Sequence, residues 1–240
     1  MIIQIKVQKG GVGKSFITAN LAHLYALQNK KTVILTTDTQ NSIIEYFTKD
    51  FDVTTMDKTI GFINSVKSGK IKTINLRKNL DFIPLERELN DFAKEQLELR
   101  FMDIQTFVRK LKEVYDYVII DSTPTLNTTL DRFLLGLSDE IIVPVYADKL
   151  TISGAINILL DYKDKVKAII FNKYSENLKL HKMYFEAIKE ACLETGVMIK
   201  KIPNWQYLTE LMERGNTIWE SKSKKQKLDE VQNVFDNLAE

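Results

Sequence analysis

Seven short apolar runs constrain the fold of this 240-residue chain more than any other feature. They are "IIQIKVQ" (2–8), "TVILTT" (32–37), "LDFIP" (80–84), "YVIID" (117–121), "EIIVPVY" (140–146), "VKAIIFN" (166–172) and "VMIKKIP" (197–203). Most are near-continuous in β-branched and large apolar side chains, the pattern of strands covered on both faces. The intervening stretches carry helical periodicity at the length of crossover connections. The expectation is an α/β fold: a doubly wound, mostly parallel sheet of about seven to eight strands with helices on both faces. Four prolines and nine glycines are spread along the chain, and no repeat or low-complexity linker interrupts it, so residues 1–240 read as one domain. Residues 50–79 are the least regular and read as an excursion carrying short helices.

Composition excludes several classes. With 44% hydrophobic and 28% charged residues the profile is that of a water-soluble chain, and no apolar run approaches the roughly 18 residues a membrane span needs. Met1 leads straight into an apolar run rather than a basic, cleavable leader, so a cytoplasmic location is expected. The single cysteine, Cys192, makes neither an intramolecular disulfide nor a thiolate cluster and reads as a buried small hydrophobe. His23 and His181 lack metal-ligand neighbours at useful spacing. Trp205 and Trp219 read as packing residues.

In an open parallel sheet a ligand sits beyond the carboxyl ends of the strands. After the first run comes "QKGGVGKS" (8–15), then "SFITANLAHLYALQ" at helical spacing. A strand, a glycine-rich loop ending Lys-Ser and a helix, in that order, make a phosphate-binding P-loop. Gly10, Gly11 and Gly13 let main-chain N–H groups converge on phosphate oxygens, and the helix adds its positive dipole end. The nucleotide segment therefore runs through Gly10, Gly11, Val12, Gly13, Lys14, Ser15 and Phe16. Lys14 would reach the terminal phosphates of ATP, and the Ser15 hydroxyl would coordinate Mg²⁺.

Two further runs end on aspartates, Asp38 in "TTDTQNS" and Asp121 in "VIIDSTPTLN". A carboxylate ending an apolar strand is costly to desolvate unless a cation or donor receives it. Asp121 reads as a magnesium holder. Asp38 is placed to orient or activate the attacking water, since phosphoryl transfer depends chiefly on positioning and electrostatics.

These segments resemble the deviant Walker A ATPases, the family of the ParA partition proteins and the MinD division-site proteins. "KGGVGKS" is similar to its K-G-G-x-G-K-[ST] loop, "VILTTDTQ" to its D-x-D-P-Q motif and "YDYVIIDSTP" to its Walker B segment. "SDEIIVPVYADKLTISG" and "KKIPNWQYLTELMERGNTIWE" extend the likeness along essentially the whole chain. The resemblance implies a P-loop NTPase fold and gives the additional lysine, Lys9, a role. It reaches across a nucleotide-sandwich homodimer to the phosphates held by the other subunit, much as an arginine finger does. It also implies that Asn172 contacts adenine and that the backbone near Pro203 flanks the base. Thr36 and Thr39 stand where the D-x-D-P-Q motif has its first aspartate and its proline, and Thr123 replaces one proline of D-x-P-P; slow turnover is the expected consequence.

The branch of the family is read from the tail and its basic neighbour. "KLDEVQNVFDNLAE" has four acidic residues against one lysine, which argues against the basic membrane helix of MinD-type proteins. Residues 200–227 hold seven basic residues (Lys200, Lys201, Arg214, Lys222, Lys224, Lys225, Lys227) against three acidic, a local balance of +4 in a chain of net charge +2. Doubled in a dimer, such a patch suits non-specific binding of double-stranded DNA. No helix-turn-helix segment precedes Met1, which fits the small ParA type. The combined expectation is a Mg²⁺-dependent, nucleoid-associated ATPase for plasmid or chromosome partition, stimulated by a ParB-like centromere-binding partner, with no membrane. A MinD-like or flagellar-number-like positioning protein is the alternative. An iron protein on the same fold needs two cluster cysteines, and a biotin-pathway synthetase would need a metabolite pocket.

Overall fold

The computed structural model describes residues 1–49, 57, 59–86, 100–123, 129–223 and 225–240. Eight strands form one sheet in the order β3-β4-β2-β5-β1-β6-β7-β8. They are β1 (Ile2–Ile5), β2 (Thr32–Thr36), β3 (Ile74–Arg77), β4 (Leu80–Ile83), β5 (Tyr117–Asp121), β6 (Glu140–Val145), β7 (Val166–Tyr174) and β8 (Met198–Pro203). All neighbours pair in parallel except β3 with β4. Each of the seven apolar runs coincides with a strand, β7 continuing two residues beyond its run to Tyr174. The additional one, β3, hairpins back on β4 through Asn79 at φ 63°, a left-handed position asparagine tolerates. Its "INLR" is only partly buried and too short to alternate visibly, which is why the sequence hides it inside the irregular 50–79 stretch. That stretch also carries the short helix Phe62–Ser68.

Alternate residues of each strand sort to the two faces. Ile3, Ile5, Ile34, Ile119, Ile142 and Ile170 join one core, with helices Lys14–Leu27 (α1) and Gln226–Ala239 packed over them. Val33, Leu35, Val118 and Ile120 face the other side, under Phe101–Val114 and Thr129–Leu137. Val143, Val145 and Phe171 continue that side under Lys149–Asp161 and Lys179–Ala191.

The acidic tail packs on the sheet assembly, as its apolar spacing predicts. It buries Leu228, Val231, Val234, Phe235 and Leu238, with the Phe235 ring 6.0 Å from that of Phe16. This cover explains why α1 is buried nearly all round rather than on one stripe. Cys192 is buried; His23 bonds the Thr217 hydroxyl at 2.7 Å, and His181 accepts the Ser175 N–H. Trp219 donates to the Asn20 carbonyl, and Trp205 lies against Tyr207. Among the described residues no helix is long and apolar enough to cross a membrane.

Candidate functional site

Strand register builds the site. Asp121 sits level with Ile5 of β1 on one side and with Thr36 of β2 on the other, so three strands end together. The loop after β1, the Asp38 segment after β2 and the Asp121 segment after β5 therefore share one rim, the carboxyl edge where ligands of open α/β sheets bind.

The loop ends at Gly13, which caps α1 with φ 96°, a left-handed geometry that disfavours any Cβ. A Cβ there would also lie 2.1 Å from Asn172 Nδ2. No acidic residue occupies the first turn of α1, so its N-terminal dipole faces the loop uncompensated. Lys14 is buried and its Nζ donates to the Lys9 carbonyl at 3.0 Å. Burial pulls its ammonium below the ordinary lysine value, against the opposing pull of Asp121. Val12 and the Phe16 ring belong to the core, which leaves their main-chain groups as the parts able to touch a ligand.

Asp121 is wholly enclosed, and burial pushes its carboxyl up to about 6 although Ser15 and Lys14 work to hold it down. Ser15 Oγ donates to its Oδ2 at 2.9 Å and Thr18 Oγ1 to its Oδ1 at 3.3 Å. A strand-end carboxylate this costly to ionise beside a serine hydroxyl fits a hard divalent cation, whose charge would reverse the desolvation cost. Asp38 is half-buried: its N–H donates to Thr36 Oγ1 at 3.0 Å, and its Oδ1 accepts the Gln40 N–H at 3.0 Å. Thr36 in turn donates to the Asp121 carbonyl at 3.2 Å. The threonine standing in the place of a carboxylate thus ties the two aspartate segments to each other.

Lys9 is bound within its own chain. Its Nζ lies 3.0 Å from Asp148 Oδ2, while Asp148 Oδ1 accepts the Leu150 and Thr151 N–H groups as the cap of helix Lys149–Asp161. Burial opposes ionisation of Asp148, but the cap N–H groups and Lys9 keep its carboxyl below the ordinary range. Nothing in the sequence announces this pairing beyond an aspartate before a helical run, the usual cap signal. Tyr146, whose hydroxyl donates to the Gly11 carbonyl, carries no sequence signal.

A family model described as an AAA domain matches residues 1–180. The chromosome-partitioning ATPase Soj of Treponema pallidum is 28% identical over 188 residues, covering 72% of this chain and 71% of that protein. An uncharacterized protein of Methanocaldococcus jannaschii is 32% identical over 214 residues, covering 79% of this chain and 80% of that one. The chain belongs to the ParA/MinD family within these AAA domains. A putative plasmid partition protein of Borrelia burgdorferi, solved with AMPPNP, superposes on this ParA/MinD-family chain with a TM-score of 0.78 at 26% identity, covering 99% of this chain and 98% of that one. A Cyanothece McdA complex with ATP shares the fold, with a TM-score of 0.80 at 17% identity over 99% of this chain and 94% of that one.

The remaining family-implied positions separate in space. Asn172 and Pro203 lie at the ends of β7 and β8, on the same edge as the loop. The Asn172 amide donates to the Val12 carbonyl at 2.9 Å and its oxygen accepts the Lys173 N–H, so it braces the loop from behind. The basic stretch is partly neutralised. Lys201 pairs with Glu176 at 2.9 Å and lies over the Tyr174 and Phe185 rings, Arg214 pairs with Glu210 at 3.6 Å, and Lys200 bonds Asn237. Lys222 and Lys225 are exposed, Lys225 and Lys227 flank the Trp205 ring, and Lys224 lies outside the described residues.

Proposed function

We propose that the chain is a Mg²⁺-dependent ATPase whose nucleotide switches it between a monomer and a DNA-binding homodimer that partitions plasmid or chromosomal DNA. The convergence of Lys14, Ser15, Asp38 and Asp121 at one sheet edge carries this reading. Main-chain groups of Gly10–Phe16 would bind the triphosphate, with Lys14 leaving the Lys9 carbonyl for a phosphate oxygen. Ser15 and Asp121 would hold Mg²⁺, which supplies charge neutralisation of the phosphates. Asp38 would orient a water toward the γ-phosphorus; the new P–O bond forms as the bond to the β–γ bridging oxygen breaks, leaving ADP and phosphate. Asn172 and Pro203 would border the base.

Lys9 would complete the partner's phosphate site, which makes dimerization depend on ATP. The basic residues of 200–227, doubled in the dimer, would hold DNA phosphates, chiefly through the exposed Lys222 and Lys225, with Lys224 as a further candidate. A ParB-like partner would stimulate hydrolysis and release the dimer from the nucleoid. The buried apolar face of the tail helix supports a reading without membrane attachment.

The test is phosphate release together with retention of non-specific DNA in ATP, ADP and no nucleotide. Turnover and ATP-selective retention are expected in the wild type and absent in Lys14→Ala. Equal retention in all three states would overturn the switch, and a wild type without turnover would overturn the enzyme.

A further inference from the structure

Beneath the rim lies a buried ion pair that the nucleotide chemistry above does not use. Lys6, directly after β1, is fully enclosed, and its Nζ sits 3.1 Å from Asp131 Oδ2, itself enclosed in helix Thr129–Leu137. The Lys6 ammonium also donates to the Thr123 carbonyl at 2.9 Å. Asp131 Oδ1 accepts the Thr37 hydroxyl at 3.3 Å, and its Oδ2 accepts the Thr123 hydroxyl at 2.9 Å. Thr37 Oγ1 accepts the Thr123 N–H at 3.2 Å, and the Thr37 N–H donates to the Asp121 carbonyl at 3.0 Å.

Thr37 immediately precedes Asp38, and Thr123 follows Asp121 by two residues. One enclosed carboxylate therefore grips both segments that carry the site's acids. Burying two charges is an expensive way to gain stability, because well-packed apolar residues of similar volume usually serve as well or better. What apolar residues cannot supply is directional hold on two hydroxyls.

We infer that Lys6 and Asp131 are positioning residues that fix Asp38 relative to Asp121 for hydrolysis, with the Thr37 hydroxyl as the link. The inference rests on the reading of Asp38 as the residue that orients the water. Lys14, Ser15 and the loop are left in place by it, so loss of the network should lower kcat while sparing ATP affinity. A displacement of reacting groups on the order of 1 Å costs about 100-fold in rate.

The experiment compares Thr37→Val, Thr37→Ser and the apolar double replacement Lys6→Met with Asp131→Leu, measuring kcat, Kd for a fluorescent ATP analogue and Tm. Thr37→Val preserves shape and deletes only the hydroxyl. It is expected to lose at least about tenfold in kcat with Kd unchanged, and Thr37→Ser to recover most of that loss. The double variant is expected to melt at or above the wild-type temperature yet hydrolyse as slowly as Thr37→Val. Wild-type kcat in Thr37→Val overturns the inference, as does full activity in a folded double variant. Should the double variant fail to fold, the threonine pair decides alone. A wild type without turnover would instead sink the ATPase reading itself, a distinguishable failure.

Discussion

Replacing Asp148 by Asn should tighten the proposed ATP-dependent dimer. The two carboxylate oxygens of Asp148 have separate duties: Oδ1 caps the helix at 3.0 and 3.1 Å, and Oδ2 holds Lys9 at 3.0 Å. Asparagine retains a cap oxygen, and the two residues cap about equally well, so helix Lys149–Asp161 should be unaffected. What disappears is the charge that keeps Lys9 at home. The side chains are 41% and 33% exposed, which places the pair in the screened regime of about 0.3–1 kcal/mol. A sandwich dimer that recruits Lys9 from both protomers breaks two such pairs, about 0.6–2 kcal/mol in all, or about 3–30-fold in the dimer Kd. Sedimentation velocity with a non-hydrolysable ATP analogue reads this directly, and the gain should shrink as salt rises. In a Lys9→Ala background the Asp148→Asn change should do nothing, because the pair is already gone. An unchanged or weaker dimer in Asp148→Asn, or the same effect without Lys9, would refute the reasoning.

Three further outcomes follow from the same geometry. Gly13→Ala combines a left-handed backbone with a Cβ 2.1 Å from the Asn172 amide; it should cost about 1–3 kcal/mol of stability and abolish binding of a fluorescent ATP analogue. Asp121→Asn should stabilise the nucleotide-free protein at pH 7.5 while removing the proposed Mg²⁺-dependent turnover. Ionising a carboxyl pushed up to about 6 costs about 3 kcal/mol; after the loss of one hydrogen bond the net gain is about 1–2 kcal/mol, or about 2–8 °C in Tm by calorimetry. Burial holds His23 below its ordinary 6.5, so as pH falls through 6.5 the unfolded chain takes up a proton that the fold refuses. Stability should be full above that pH and decline below it, and His23→Gln should flatten the urea-denaturation profile between pH 7 and 5.

The parts of this molecule legible in its sequence are those fixed by short-range pattern. Strands β1, β2 and β5 are apolar because both faces are covered, so their runs and the aspartates ending near them could be read without neighbours. The glycine loop is similarly local, since its left-handed turns demand glycine wherever they occur. Pairings across the fold were hidden. Lys6 and Asp131 are 125 positions apart, and Lys9 and Asp148 are 139 apart, so only the sheet order brings them together. A clue to the first existed in retrospect: a lysine at the end of a doubly covered strand needs a buried anion. The basic stretch shows the opposite failure, because counting cations along the chain ignores partners such as Glu176 that arrive from another element.

The electrostatics of the rim also bear on how a nucleotide could act as a switch. Burial pulls the Lys14 ammonium down and pushes the Asp121 carboxyl up, so both charged forms are held at a cost in the nucleotide-free chain. A ligand that brings anionic oxygens to Lys14 and a divalent cation to Asp121 reverses both costs together. Part of its binding free energy is therefore relief of charges the fold has already desolvated. The apolar sheet makes this arrangement tolerable, since the strand that carries Asp121 is enclosed on both faces and the helix that Lys14 opens is buried nearly all round. On this logic nucleotide and metal should stabilise more than additively: a metal held by Ser15 and Asp121 would offset the cost of the Asp121 charge and attract the phosphates, and phosphate would recruit Lys14 as it leaves the Lys9 carbonyl. That departure reaches the residue whose side chain Asp148 holds, and in the proposed dimer it would link filling of one protomer's site to release of the lysine offered to the other.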